Sequence, residues 1–191
     1  MSKSLVKLVD AALVPAAIMI LGKVIGLWFV NIAFKLDWSI ITDSNNFFSV
    51  KIEYATLSEQ ITATSYSNLI MYLFVFAGFL FVLIRALYLH SSHITPSMIA
   101  KLATNNLLNL ITDSFEIYHK ASVWLIMLWL ALIALTVNVL LGRAYPWTGV
   151  ISVLCTVLAT VILLRDVAKE VEIAKKNLPK LSENNLSSNT K

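Results

Sequence analysis

Four long apolar segments constrain the fold of this chain more than any other feature. They cover residues 11–34, 68–89, 121–141 and 148–164. A helix needs about 20 apolar residues to cross a hydrocarbon core of about 30 Å. The composition agrees, because 14% of the residues are charged, whereas a soluble domain carries about 25%. The sequence therefore predicts an all-α integral membrane protein with four transmembrane helices that contact the lipid bilayer.

The first apolar segment also has features of a secretory signal peptide, because Lys3 and Lys7 precede the apolar run. However, Asp10 and Lys23 interrupt the signal-peptide pattern. The apolar residues also continue to Phe34, well past the length of a signal-peptide core. We therefore interpret this segment as a retained first span.

Basic residues are divided unequally between the two sides of the predicted membrane domain. Eleven Lys and Arg residues accompany the termini and the connection between spans two and three, whereas Lys35, Lys51 and Arg143 lie on the other side. The positive-inside rule places the basic side in the cytoplasm. Both termini are thus predicted to be cytoplasmic, in a protein of the plasma membrane. Because this basic side faces anionic lipid, the net charge of +4 requires no nucleic acid as a partner.

The outer loop, residues 35–67, contains an alternating pattern of apolar and polar residues. This pattern predicts a strand over Phe48 to Ala55, and Gln60 to Tyr66 is a candidate partner that would close a small β-hairpin. However, Thr56 to Glu59 also fits a capping box that would begin a helix leading into span two. The sequence leaves both alternatives open from Thr56 onward. A lid over the outer helix ends is the favoured role of this loop, and a docking surface with an unpaired strand edge is the alternative.

Two further helical segments are predicted on the cytoplasmic side. Residues 96–119 form an amphipathic pattern between spans two and three, typical of a helix at the membrane interface. Residues 165–178 form a cytoplasmic extension of span four, which Pro179 is expected to stop. The polar residues 179–191 are predicted to be a disordered tail. Residues 1–178 would then form a single four-span membrane domain.

The histidines lie together on the cytoplasmic side of the predicted topology. Imidazole and carboxylate groups are common ligands of zinc and iron. His90, His93, Glu116 and His119 are therefore candidate metal ligands. The same residues also fit a structural hydrogen-bonded cluster on a solvent-exposed helix face. We favour this interpretation over a metal site.

The sequence contains none of the motifs common in enzymes, including H-E-x-x-H, G-x-S-x-G, the P-loop and G-x-G-x-x-G. Spans two to four also contain no Asp or Glu. We therefore predict a non-catalytic protein without a required cofactor, which acts as a component of a homo- or hetero-oligomeric membrane assembly. A small transporter or channel subunit is the first alternative, and a metal-dependent membrane enzyme is the second.

A lysine near the centre of the first span is the residue most out of place. Lys23 lies between Gly22 and Gly26, whose small size allows another helix to approach closely. A cation at this depth costs at least about 2.5 kcal/mol on insertion scales. The sequence predicts that Lys23 faces a helix interface or a small polar cavity, with a counter-charge from a second chain, a lipid phosphate or an anionic substrate. Snorkelling to the interface is the alternative, and Asn31 and Asn138 are further candidate polar groups within the membrane.

Overall fold

The computed structural model describes residues 3–42, 50–89, 104 and 114–188. The helices and strands, in chain order, are α1 (Lys3–Ala33), β1 (Trp38–Thr42), β2 (Val50–Tyr54), α2 (Leu57–Tyr88), α3 (Ser114–Leu140) and α4 (Pro146–Ser188). Within these residues, four helices are long and apolar enough to cross a membrane: Val9–Ala33, Leu57–Tyr88, Glu116–Leu140 and Pro146–Glu172. The predicted set of four apolar helices is thus confirmed by length and composition.

The start of α2 is fixed by a complete capping box. The Thr56 hydroxyl accepts a hydrogen bond from the Glu59 backbone N–H at 3.2 Å, and the Glu59 carboxylate accepts one from the Thr56 backbone N–H at 3.0 Å. This arrangement pairs two donors that a helix end otherwise leaves unpaired. Gln60 to Tyr66 are therefore helical. Of the two alternatives that the sequence leaves open from Thr56 onward, the structure has the helix and not the partner strand. Instead β2 pairs antiparallel with β1, with Ile40 opposite Ile52.

Helix α2 lies at the centre of the bundle, since it packs against each of the other three helices and most extensively against α1. Its side chains Val75 and Phe79 are fully buried, together with Leu128 and Leu135 of α3. Burying a large apolar side chain contributes about 1.5–3 kcal/mol relative to water. In a bilayer, where lipid is equally apolar, the gain comes from close packing instead.

The structure also bears on the segments predicted on the cytoplasmic side. Residues 114–119, which the sequence assigns to the interfacial helix, form the first turns of α3. The rest of that predicted helix lies outside the described residues, apart from residue 104. Helix α4 extends to Ser188, past Pro179, where the sequence places its end. A proline removes one main-chain hydrogen bond, but the turns on either side of it can keep theirs.

Gly78 allows α3 to pack tightly against α2. A Cβ atom built at Gly78 would overlap the indole ring of Trp124, which is itself buried in the core. By contrast, a Cβ atom at Gly149 would lie 3.4 Å from its nearest neighbour, a methyl carbon of Val139. The first glycine is therefore required by packing, whereas the second is not.

We expect Gly78→Ala to lower the free energy of unfolding by about 1–3 kcal/mol, because the new methyl group displaces a buried indole. Gly149→Ala is the matched control. It should leave stability unchanged or raise it by up to about 1 kcal/mol, since alanine is the better helix former. Thermal unfolding of both variants in the same detergent measures the difference. Equal stabilities of the two variants would contradict this account of the α2–α3 contact.

Candidate functional site

Lys23 is held by two uncharged side chains of α2. Its ammonium group donates to Ser67 Oγ at 2.7 Å and to Asn68 Oδ1 at 2.5 Å. No carboxylate pairs with Lys23 among the residues that the structure describes. Within the described part of the chain, the charge is therefore stabilised by two neutral hydrogen-bond acceptors, in a segment that is long and apolar enough to span a membrane.

The two glycines beside Lys23 bring α1 and α2 into close contact. A Cβ atom at Gly26 would lie 2.9 Å from the carbonyl oxygen of Ser67, and one at Gly22 would lie 3.2 Å from Cα of Met71. Both positions are therefore too tight for a side chain unless the helices separate. The two glycines pack against α2 of the same chain. This close packing brings the Lys23 ammonium group within hydrogen-bond distance of Ser67 and Asn68.

Asn68 carries an unpaired donor in this cluster. Asn68 is 4% exposed and its oxygen accepts a hydrogen bond from Lys23, but its Nδ2 atom has no hydrogen-bond partner among the residues that the structure describes. Leaving a buried polar group unpaired costs about 1–3 kcal/mol. Because the amide oxygen must face the ammonium donor, rotating the amide by 180° would not relieve the cost. An unpaired buried amide of this kind requires an explanation.

A second polar network joins α2 to α4. The Tyr72 hydroxyl donates to the Ser152 carbonyl at 3.0 Å and lies 2.9 Å from Thr156 Oγ1. Thr148, Ser152 and Thr156 are spaced four residues apart and are fully buried, so they share one face of α4. The hydroxyl groups of Ser152 and Thr156 each donate to the carbonyl four residues earlier. This network is fully paired, in contrast to Asn68.

The two asparagines predicted as intramembrane polar groups lie apart from Lys23 along the fold. Asn31 is buried near the end of α1, and its side-chain oxygen accepts a hydrogen bond from the Tyr54 hydroxyl at 3.2 Å. Burial raises the pKa of Tyr54, so this donor stays protonated at neutral pH and links β2 to α1. Asn138 donates to the Ala134 carbonyl of its own helix at 2.8 Å.

The predicted metal ligands are placed only in part. Glu116 and His119 lie in the first turns of α3, where Glu116 forms an ion pair with Lys120 at 2.6 Å. His90 and His93 lie outside the described residues. The described part of the chain contains no group of three or more side chains that could hold a metal ion. The four-residue zinc or iron site stays a prediction.

The sequence interpretation missed Ser67 and Asn68 as partners of Lys23. It placed the start of the second span at Asn68 and expected the counter-charge of Lys23 to come from a second chain, a lipid phosphate or an anionic substrate. The capping box at Thr56 could have identified Ser67 and Asn68. A helix that begins at Leu57 carries Ser67 and Asn68 about three turns into α2.

No protein-family model, curated protein or solved structure matches this chain. Four long apolar helices, within the residues described, are compatible with a polytopic membrane protein.

We expect Tyr72→Phe to lower the free energy of unfolding by about 0.5–1.5 kcal/mol, because it removes a buried hydroxyl that contacts Ser152 and Thr156. Tyr88→Phe is the matched control, since Tyr88 is 61% exposed. Thermal unfolding of the two variants provides the measurement. An equal effect of both substitutions would show that the network between α2 and α4 contributes nothing.

Proposed function

We propose that this protein is a non-catalytic component of a membrane assembly, and that α1 is the helix that contacts other chains. The observation that carries the proposal is the exposure of α1. In its most apolar stretch 22% of the residues are buried, whereas the corresponding shares are 39% in α2, 39% in α3 and 33% in α4. Trp28 and Phe29 project from it with 66% and 55% of their surface exposed.

The packing of α1 supports this role. One face is held against α2 through Gly22 and Gly26, so the helix is fixed in orientation. Its opposite face, which includes Leu21, Val24 and Trp28, is exposed and available to another helix. Helices associate in bilayers through van der Waals packing of such preorganised surfaces. The proposed partner is a further membrane chain, either a second copy or a different protein.

A photo-crosslinking amino acid at Trp28 should yield a protein adduct when the chain is expressed at its native level in its own membrane. The same amino acid at Phe81 is the matched control, since Phe81 is 59% exposed on α2. We expect the adduct at the first position only. Lipid adducts alone at both positions, together with a monomer after mild extraction, would overturn the assembly proposal.

We also propose that both termini are cytoplasmic and that the β1–β2 sheet lies on the outer side. The excess of Lys and Arg near the termini supports this orientation. The sheet connects the C-terminal end of α1 to the N-terminal end of α2, and so lies at the end of α1 opposite to the N-terminus of the chain. The proposed location is the plasma membrane, with the basic side of the protein facing the cytoplasm.

The orientation predicts opposite labelling of two single cysteines in a Cys155→Ser background. Ser39→Cys, on exposed β1, should react with an impermeant thiol reagent added to intact cells. Val171→Cys, on the exposed surface of α4, should react after the membrane has been permeabilised. Labelling of both positions in intact cells would contradict the four-span topology.

A further inference from the structure

We propose that a cavity between α2 and the turn from α3 to α4 binds one anionic phospholipid of the bilayer, with Arg143 in contact with the headgroup phosphate. The cavity has a volume of about 600 Å³ and lies where α2 begins and α3 ends. It is lined by Leu57, Gln60, Ile61, Leu141, Gly142 and Arg143. We call these six residues the Arg143 pocket.

The position of Arg143 is fixed by the way in which α3 ends. The Gly142 N–H donates to the Val139 carbonyl at 3.0 Å, and the Arg143 N–H donates to the Asn138 carbonyl at 2.8 Å. Gly142 has a φ of 68°, a left-handed conformation that glycine adopts without strain. Together these features form a Schellman motif. The backbone of Arg143 is therefore held at the pocket by the end of the helix itself.

The charge of the pocket determines the kind of headgroup. Among the described residues that line it, Arg143 is the one charged residue. Glu59, in the same turn of α2, accepts hydrogen bonds from the backbone N–H groups of Thr56 and Asp37 instead. A guanidinium group matches phosphate oxygens through two parallel N–H···O bonds. Because no carboxylate lines the pocket to contact a choline or ethanolamine group, a phospholipid with a net negative charge is favoured.

Aromatic side chains mark the headgroup level at this end of the bundle. Tyr66 packs edge-to-face against Trp147, with ring centroids 5.8 Å apart, and stacks on Phe34 at 4.9 Å. Trp and Tyr are enriched where a bilayer meets water. Arg143 precedes Trp147 by four residues in the connection between α3 and α4. It is therefore expected at the level of the lipid phosphates.

Apolar surface continues from the pocket toward the hydrocarbon core. Leu57 and Leu141 line the pocket with 71% and 59% of their surface exposed, and Leu140 and Val137 are exposed on the last turns of α3. An acyl chain would cover these side chains while the phosphate contacts Arg143. A free phosphate ion would leave them uncovered, so the ligand that fits is an amphiphile. The pocket lies apart from the assembly surface on α1 and does not depend on the proposed orientation.

Native mass spectrometry of the full chain tests the proposal, after release from micelles that contain equal amounts of phosphatidylglycerol and phosphatidylcholine. We expect wild type to retain one phosphatidylglycerol per chain in preference to phosphatidylcholine. Arg143→Gln should lower the ratio of the two retained lipids about fivefold, because it removes an ionic contact at an exposed site. Lys35→Gln is the matched control, since it removes an exposed positive charge at the same end of the bundle. It should retain lipid like wild type.

A second measurement distinguishes the lipid from a free anion. Inorganic phosphate at millimolar concentration should not displace the retained phosphatidylglycerol, because the ion cannot contact Leu57 and Leu141. Displacement would assign the pocket to a soluble anion and overturn the lipid proposal.

Three further results would overturn it: no preference for phosphatidylglycerol in folded wild type, an unchanged ratio in Arg143→Gln, or an equal fall in Lys35→Gln. Arg143 and Lys35 are both exposed, so both variants should keep the melting temperature of wild type. Crosslinking from Trp28 is a separate measurement on α1. A failure of either proposal can therefore be recognised without the other.

Discussion

The hydrogen bonds from Lys23 to Ser67 and Asn68 are the contact on which the arrangement of α1 depends. A helix with an ammonium group near its middle is costly to place in lipid. The cost falls when the charge is turned toward polar groups on a neighbouring helix, and this requires that the two backbones come close. Gly22 and Gly26 allow that approach. The position of α1 thus depends both on the hydrogen bonds of Lys23 and on the two glycines that allow α1 to approach α2 closely enough to form them.

Helix α2 makes polar contacts with two neighbouring helices. Toward α1 it presents Ser67 and Asn68, and toward α4 it presents Tyr72. The contact with α4 is complete, because each hydroxyl in it has a partner. In the contact with α1, one amide nitrogen has no partner among the residues described. A paired network holds two helices rigidly, whereas an unpaired buried donor costs free energy.

The number of apolar helices and the oddity of Lys23 could be predicted from the sequence, because both follow from hydropathy and charge. The start of α2 is not fixed by the sequence, which leaves a strand and a helix open from Thr56 onward. Hydropathy places the boundary at Asn68, where the uninterrupted apolar run begins, whereas the helix is started by the Thr56 cap. Because of this difference, Ser67 lies outside the predicted span and Asn68 is placed at its edge, whereas both lie well within α2. Likewise, the pairing of β2 with β1 depends on how the chain turns between them, which the alternating pattern of a single strand does not specify.

The close packing demanded by Gly78 had no signal in the sequence. A glycine in an apolar helix can mark a kink, a cap or a close contact, and the pattern alone does not distinguish them. The answer depends on Trp124, which is distant in sequence and reaches Gly78 only once α2 and α3 are packed. Contacts of this kind are tertiary, and no local pattern encodes them.

The separation in sequence between Lys23 and its acceptors has a consequence for how the protein enters the membrane. Ser67 and Asn68 follow Lys23 by 44 and 45 residues. At a synthesis rate of about 5–20 residues per second, Lys23 would wait about 2–9 s before either acceptor has been made. During that interval α1 has no intramolecular partner for its charge, so its stable insertion depends on the arrival of α2. The two helices are therefore expected to leave the insertion machinery as a pair, with the second helix completing the membrane integration of the first.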